Sequence, residues 1–285
     1  MTDLLEIDPI IDIIKLVLQT GYIKNTEYPV NLLIVAKPES AKTSTMDCFP
    51  QTKGMYYTNN ITQAVIVSKI LPMIENDHLK HILIPDLLNA IEKDYTTKKG
   101  FLNMTKTLIE EGITSLDTFN MRTNKIYNPP VKCGLITAIT SESYDGYYDP
   151  KSEQWRGGIK HEWRTIGLLS RFIPFSYQYE LSKIGRIFQF ITCEEQQKSN
   201  EPKDKYKIKR SMVNVKGNPE LFQKLMLSSQ QIGQEAGGYG FRLQRSLQSL
   251  TKANAVLNGR TEVIQEDIDK LLRLGNWMNY HFNPL

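Results

Sequence analysis

The stretch Asn31 to Ser44, NLLIVAKPESAKTS, constrains this chain more than any other. Leu32 to Val35 is an apolar run of the length of a short buried strand. It is followed by Pro38, and then by Ala41-Lys42-Thr43-Ser44. A buried strand, a tight loop and a Lys-Thr pair make the skeleton of a phosphate-binding loop. That chemistry needs backbone N–H groups curled around phosphates, a lysine ammonium on the outer phosphates and a hydroxyl on Mg²⁺. Lys42 and Thr43 supply the last two, and Thr43 is thereby a metal ligand. Ala36, Pro38, Glu39, Ser40, Ala41 and Ser44 supply the loop itself. Alanine stands at 36 and 41, where glycine is usual because the backbone needs open φ/ψ space and close approach. An ordinary strand–turn–helix would carry the same letters, so the rest of the chain has to decide.

Two further strands support the first reading. Ile82 to Ile84 reads as a buried strand with Asp86 at its carboxyl end. Ligands in α/β sheets sit outside the carboxyl ends of strands, and a carboxylate there holds Mg²⁺ directly or through water. A helix N-cap would also put an aspartate there. Val131 to Thr140 is another apolar strand, ending in the hydroxyl of Thr140. It suits a residue that orients water or bonds a terminal phosphate, and equally a capped strand end.

The remaining elements frame these three. Asp8 to Gln19 has helical apolar spacing, with Asp8 as N-cap and Pro9 in the first turn. Thr62 to Ile74 reads as a helix bent at Pro72, and Phe101 to Glu111 as a helix stopped by Gly112. Residues 113–127 alternate polar and apolar like a β-hairpin, with Arg122 and Lys125 near its tip. Residues 143–160 read as loop. Arg171 stands at the foot of the short strand Phe172 to Phe175, either as a surface cation or as an arginine reaching a neighbouring subunit's phosphate. Lys203, Lys205, Lys207 and Lys209 alternate through the most charged stretch, which suits a solvated loop or a nucleic-acid contact. Three amphipathic helices follow Glu220.

Composition closes off other classes. No apolar run approaches the roughly 20 residues that span a bilayer, and the acidic start MTDLLEIDPI lacks the basic segment of a signal peptide. The three cysteines are far apart and no Cys-x-x-Cys occurs, which argues against a disulfide framework and a zinc site. A cytoplasmic location is expected. The net charge of +4 permits nucleic-acid contact without demanding it.

The order of the pieces resembles the AAA+ ATPases: loop strand, Asp strand, Thr strand, Ser-Arg-Phe, then a helical lid. FRLQRSLQSLTKANAVLNGRTEVIQEDIDKL is similar to the lid of the branch holding the minichromosome-maintenance helicases. Arg242, Ser246-Leu247-Gln248-Ser249-Leu250, Ala253-Asn254-Ala255-Val256-Leu257, Arg260, Val263 and Asp267-Ile268 carry that similarity. The resemblance implies an α/β fold, a P-loop αβα sandwich over residues 1–178, followed by a helical lid over 179–285. It implies ATP and Mg²⁺ as cofactors and a homo-oligomeric ring or filament. Asp86 becomes the Mg²⁺-holding acid of the Walker B strand and Thr140 the sensor 1 residue, with Thr137 as fallback. Arg171 becomes the arginine finger, and Arg242 the sensor 2 residue, with Arg245 one turn along. The 113–128 hairpin would touch DNA, and a replication protein would be a partner. The first helix would flank the adenine pocket. A compact core of this kind is typical of phage, plasmid or mobile-element replication, which would place it in a host cytoplasm. One departure stands out: Leu87 replaces the glutamate that usually polarises the attacking water, leaving Glu39, Glu92 or another acid for that task. The competing readings are a nucleotide-binding scaffold without efficient hydrolysis, a protein-remodelling module and a metabolic P-loop kinase.

Overall fold

The structure, a computed structural model, describes residues 7–49, 54–118, 123–149, 151–192 and 207–285. Six parallel strands form its central sheet in the order β10-β9-β1-β6-β3-β2. They are β1 (Leu32–Ala36), β2 (Gly54–Tyr57), β3 (Leu79–Ile84), β6 (Gly134–Thr140), β9 (Ile173–Gln178) and β10 (Asn283–Pro284). Two antiparallel hairpins stand apart: β4 (Ile113–Thr118) with β5 (Thr123–Val131), and β7 (Gly146–Asp149) with β8 (Gln154–Gly157).

β1 is buried along its whole length, as an apolar run in a parallel sheet covered on both faces must be. Its residues alternate between two cores. Leu32, Ile34 and Ala36 point into one with α1 (Asp8–Thr20), while Leu33 and Val35 point into the other. The first core also takes α2 (Lys42–Asp47) and the C-terminal helices. The second is covered by a helical segment over 63–75, by α5 (Leu88–Ile91) and α6 (Tyr95–Leu108), and by hairpin β4–β5. The segment 63–75 runs as α3 (Gln63–Val65), a π-helical turn (Ile66–Ile70) and α4 (Leu71–Glu75), so its irregularity precedes Pro72. The sequence reading of a mainly parallel α/β sheet flanked by helices holds.

α1 is buried nearly all round, through Ile10, Ile11, Ile13, Ile14, Leu16, Val17 and Leu18. Each such side chain contributes about 1.5–3 kcal/mol on burial, which ties this helix firmly under the sheet. Asp8 is its first helical residue rather than its cap, which is Ile7. At the other end of the chain, α10 (Pro219–Gln223) and α11 (Met226–Glu235) divide the single helix expected there. They are followed by α12 (Phe241–Leu257) and α13 (Gln265–Leu274). Leu247, Leu250, Ile268 and Leu271 pack in the same core as Ile10, Ile34 and Phe175. The C-terminal helices therefore share one core with the sheet across the expected 178/179 boundary.

One expectation needs correction. Residues 143–160 are not loop: α7 (Ser141–Asp145) leads into hairpin β7–β8, and α8 (Lys160–Thr165) follows. Gly146, at φ 95°, makes the turn into β7. Arg156 pairs with Asp149 across the strands at 3.2 Å. α9 (Leu181–Thr192) leaves the sheet after β9. Among the described residues no helix is long and apolar enough to cross a membrane.

Candidate functional site

β1 ends at Ala36 in the middle of the sheet, and residues 37–41 turn the chain into α2. The turn puts Glu39 (φ 59°) and Ala41 (φ 63°) in the left-handed region. Glycine takes that conformation freely, and other residues at a cost of roughly 1–2 kcal/mol. Three hydroxyls hold it. Ser40 Oγ donates to the carbonyl of Lys37 at 2.6 Å. Tyr177 in β9 and Tyr179 just beyond it both donate to the carbonyl of Ser40, at 2.6 and 3.0 Å. Tyrosines of the neighbouring strand thus impose the shape that glycine would merely have permitted. Left-handed residues on either side of Ser40 curl the backbone in the manner of an anion-holding nest.

Lys42 folds back over this loop. Its Nζ donates to the carbonyls of Ala36 (3.0 Å) and Lys37 (2.6 Å) and to Ser40 Oγ (3.2 Å). Burial pulls its ammonium down to about 8, against the opposing pull of the Asp86 and Glu142 carboxylates. Thr43 is exposed on the first turn of α2, and Ser44 is half-buried beside it. Pro38 and Glu39 are exposed at the loop tip.

Strand register gathers the other candidates. Parallel pairing sets Thr140 directly opposite Ala36. β6 lies between β1 and β3, so Asp86 is one strand further on. Asp86 Oδ1 accepts the N–H of Leu88 at 3.0 Å, so it caps the turn into α5 while its charge acts on Lys42. Thr140 is also a cap: its hydroxyl donates to Ser143 Oγ (2.8 Å) and accepts the Ser143 N–H (3.3 Å). Thr137 is fully buried and donates to the carbonyl of Ile84 at 2.9 Å, which ties β6 to β3 and removes it as the fallback. Leu87 is buried, its N–H on the carbonyl of Ala138 at 3.1 Å, so it is a core side chain. Two features escaped the sequence reading. One is the Tyr177–Tyr179 clamp, which no local pattern announces. The other is Glu142, whose signal was an acid two residues past the strand-terminal Thr140.

The arginines lie elsewhere. Arg171 immediately precedes β9, at the amino edge of the sheet. The loop is a strand length away at the carboxyl edge, about 15 Å for five residues. Arg171 is buried, with ion pairs from Nε to Glu110 (2.7 Å) and from Nη2 to Glu111 (2.9 Å). Arg242 joins it, pairing with Glu110 and donating to Ser170 Oγ at 3.3 Å. Arg245 pairs with Glu27 at 2.7 Å, just upstream of β1, also away from the loop. Neither Arg242 nor Arg245 meets the Lys42 loop of its own chain. The first helix is core to the sheet.

Of the expected DNA contacts, Arg122, Lys203 and Lys205 lie outside the described residues. Lys125 pairs with Glu75 at 2.5 Å and lies over the Tyr127 ring. Lys207 and Lys209 are exposed, and the Lys209 backbone is held by both polar atoms of the Gln19 side chain.

No protein-family model matches the chain, and no curated protein matches it in sequence.

Proposed function

We propose that this protein is an ATPase of AAA+ type that binds Mg²⁺–ATP at the carboxyl edge of its sheet and acts in an oligomer on DNA, as a helicase, helicase loader or translocase. The observation that carries the reading is a juxtaposition. A lysine-bearing loop leaves the central strand, a hydroxyl from the next strand stands opposite its start, and the acid from the strand after that acts on the lysine.

The donor set fits the cofactor. Lys42 would hold the outer phosphates, and the Thr43 hydroxyl with Asp86 would hold Mg²⁺, which spreads the charge that develops on the phosphates. Glu142 is our candidate for orienting the attacking water and taking its proton, the task that Leu87 cannot perform. Thr140 orients the same region through its hydroxyl. Arg171 and Arg242 are too far to serve their own loop, so they would serve a neighbour's, in a head-to-tail ring or filament. The DNA assignment rests on the resemblance of the C-terminal segment and on the hairpin that precedes β6.

A second reading, a nucleotide-gated assembly scaffold, is favoured by one observation: Arg171 is held by two carboxylates of its own chain. Phosphate release by the purified protein, with and without DNA and against Lys42→Ala, separates the two. Turnover lost in Lys42→Ala and raised by DNA supports the motor. ATP binding without phosphate release under any condition supports the scaffold.

A further inference from the structure

A cavity of about 600 Å³ opens between α1, the C-terminal end of α12 and α13. These helices share an apolar core, yet the cavity between them is polar. Leu16 and Leu257 are its apolar patches, and charged and amide side chains line the rest. No residue of the Lys42 loop lines it, so it is a separate place from the proposed nucleotide site.

Cations converge there from three parts of the chain. Lys15 comes from α1, Arg260 from the turn after α12, and Lys270 and Arg273 from one face of α13, where they stand at helical i, i+3 spacing. Arg260 is held in place from behind. Its Nη1 and Nη2 each donate to Asp267 at 2.8 Å. Asp267 is fully buried, and it also accepts the Asn254 amide at 2.7 Å and the Ile264 N–H at 3.0 Å. Both carboxylate oxygens are thus engaged. They fix the direction of the guanidinium and leave further N–H groups of its fork for a ligand. Lys270 pairs with Asp12. Lys15 and Arg273 differ: among the described residues neither has an ion-pair or hydrogen-bond partner. Glu266 is the lining carboxylate that remains to face these two, so positive charge is left over. A cleft with an excess of one sign over low-dielectric walls concentrates the opposite ion.

We propose that this cavity binds a small, multiply charged oxyanion, phosphoryl or polycarboxylate. The Arg260 fork meets two oxygens at once, and Lys15 and Arg273 bring charge from two different helices. A cavity of this volume takes in a small molecule whole. Bound there, the anion bridges α1 and α13 beside the Lys270–Asp12 pair, and so ties the first helix of the described chain to the last.

The test is calorimetric titration at low ionic strength, where such contacts are least screened. It uses the full chain carrying Lys42→Ala, which removes the loop lysine as a competing anion contact. Pyrophosphate is the probe in one arm and citrate in the other, and the tighter of the two names the source. One anion is expected to bind per chain and to raise the melting temperature. Lys15 is half-buried and Arg273 exposed, and an unchanged melting temperature without probe checks the fold of their variants. Lys15→Ala and Arg273→Ala should each weaken binding about tenfold, and Arg273→Lys should keep most of it. Lys24→Ala, at an exposed lysine outside the cavity, should leave it unchanged. Binding of neither probe, binding undiminished in the Lys15→Ala/Arg273→Ala double variant, or an equal loss in Lys24→Ala each overturns the proposal.

Discussion

Lys42 makes the proposed nucleotide site testable by pH alone. Burial lowers its ammonium to about 8, the Asp86 and Glu142 charges only partly opposing this. Phosphates pressed against the ammonium favour its charged form, so bound nucleotide raises that value. The sign follows. Binding takes up a proton wherever free Lys42 is neutral, so affinity weakens as pH rises through about 8. The charged fraction of the free site falls from about nine-tenths at pH 7 to about one-tenth at pH 9, so the dissociation constant rises at most about tenfold over that span. Partial solvent contact reduces this, and half the logarithmic effect is a fair floor. Calorimetric titration of Mg²⁺ with a non-hydrolysable ATP analogue from pH 7 to 9, at fixed ionic strength, reads it directly. Lys42→Arg, whose guanidinium stays charged throughout, should flatten the profile, and Lys42→Ala should bind weakly at every pH. A wild-type profile flat across the window, or an equal slope in Lys42→Arg, would refute the assignment of phosphate binding to this ammonium.

Three other outcomes are expected. Tyr177→Phe removes one of the two hydroxyls on the Ser40 carbonyl, and should cost about 1 kcal/mol in urea unfolding with a several-fold loss of nucleotide affinity. His81 is fully buried and held neutral, its pKa lowered to about 3 by desolvation. The unfolded chain therefore binds the extra proton between about 6.5 and 3, and stability falls as pH drops through that range. The loss is about 2 kcal/mol at pH 5 relative to pH 7.5, and urea titrations should show it diminished in His81→Leu. Arg171→Ala leaves Glu110 buried beside fewer cations and should destabilise by about 3 kcal/mol. Adding Glu110→Gln should restore much of that. In this double variant, ATP binding should persist and turnover should not; recovered turnover would remove Arg171 from the reaction.

The sheet was legible because its strands are apolar runs bounded by turn residues, and a parallel sheet covered on both faces writes itself that way. Lys42, Asp86 and Thr140 were legible for the same reason: each follows such a run, so the register that aligns the strands also aligns them. Hairpin β7–β8 was missed because Tyr147, Tyr148 and Trp155 are all exposed. A strand pair buried on neither face shows no alternation of polar and apolar residues. Edge strand β2 was missed through its brevity. The arginines were found in the chain but not in space. For Arg171 the partners Glu110 and Glu111 are 61 and 60 residues away, for Arg242 Glu110 is 132 away and for Arg245 Glu27 is 218 away, and no local pattern encodes such pairings.

The common core beneath the sheet limits how this chain can move. Rocking the C-terminal helices as a block would peel α12 from α1 and open the seam that Leu247, Leu250 and Ile10 close. Exposing even 400 Å² of apolar surface costs about 10 kcal/mol, comparable to the whole stability of a typical domain. If the loop binds nucleotide as proposed, a change there has a cheaper outlet. Thr140 caps α7, and the Ser143 carbonyl holds the Ile159 N–H at 3.0 Å, so α7 forms the root of hairpin β7–β8. A small shift at the strand end would be carried through α7 into that hairpin, while the common core stays fixed behind it.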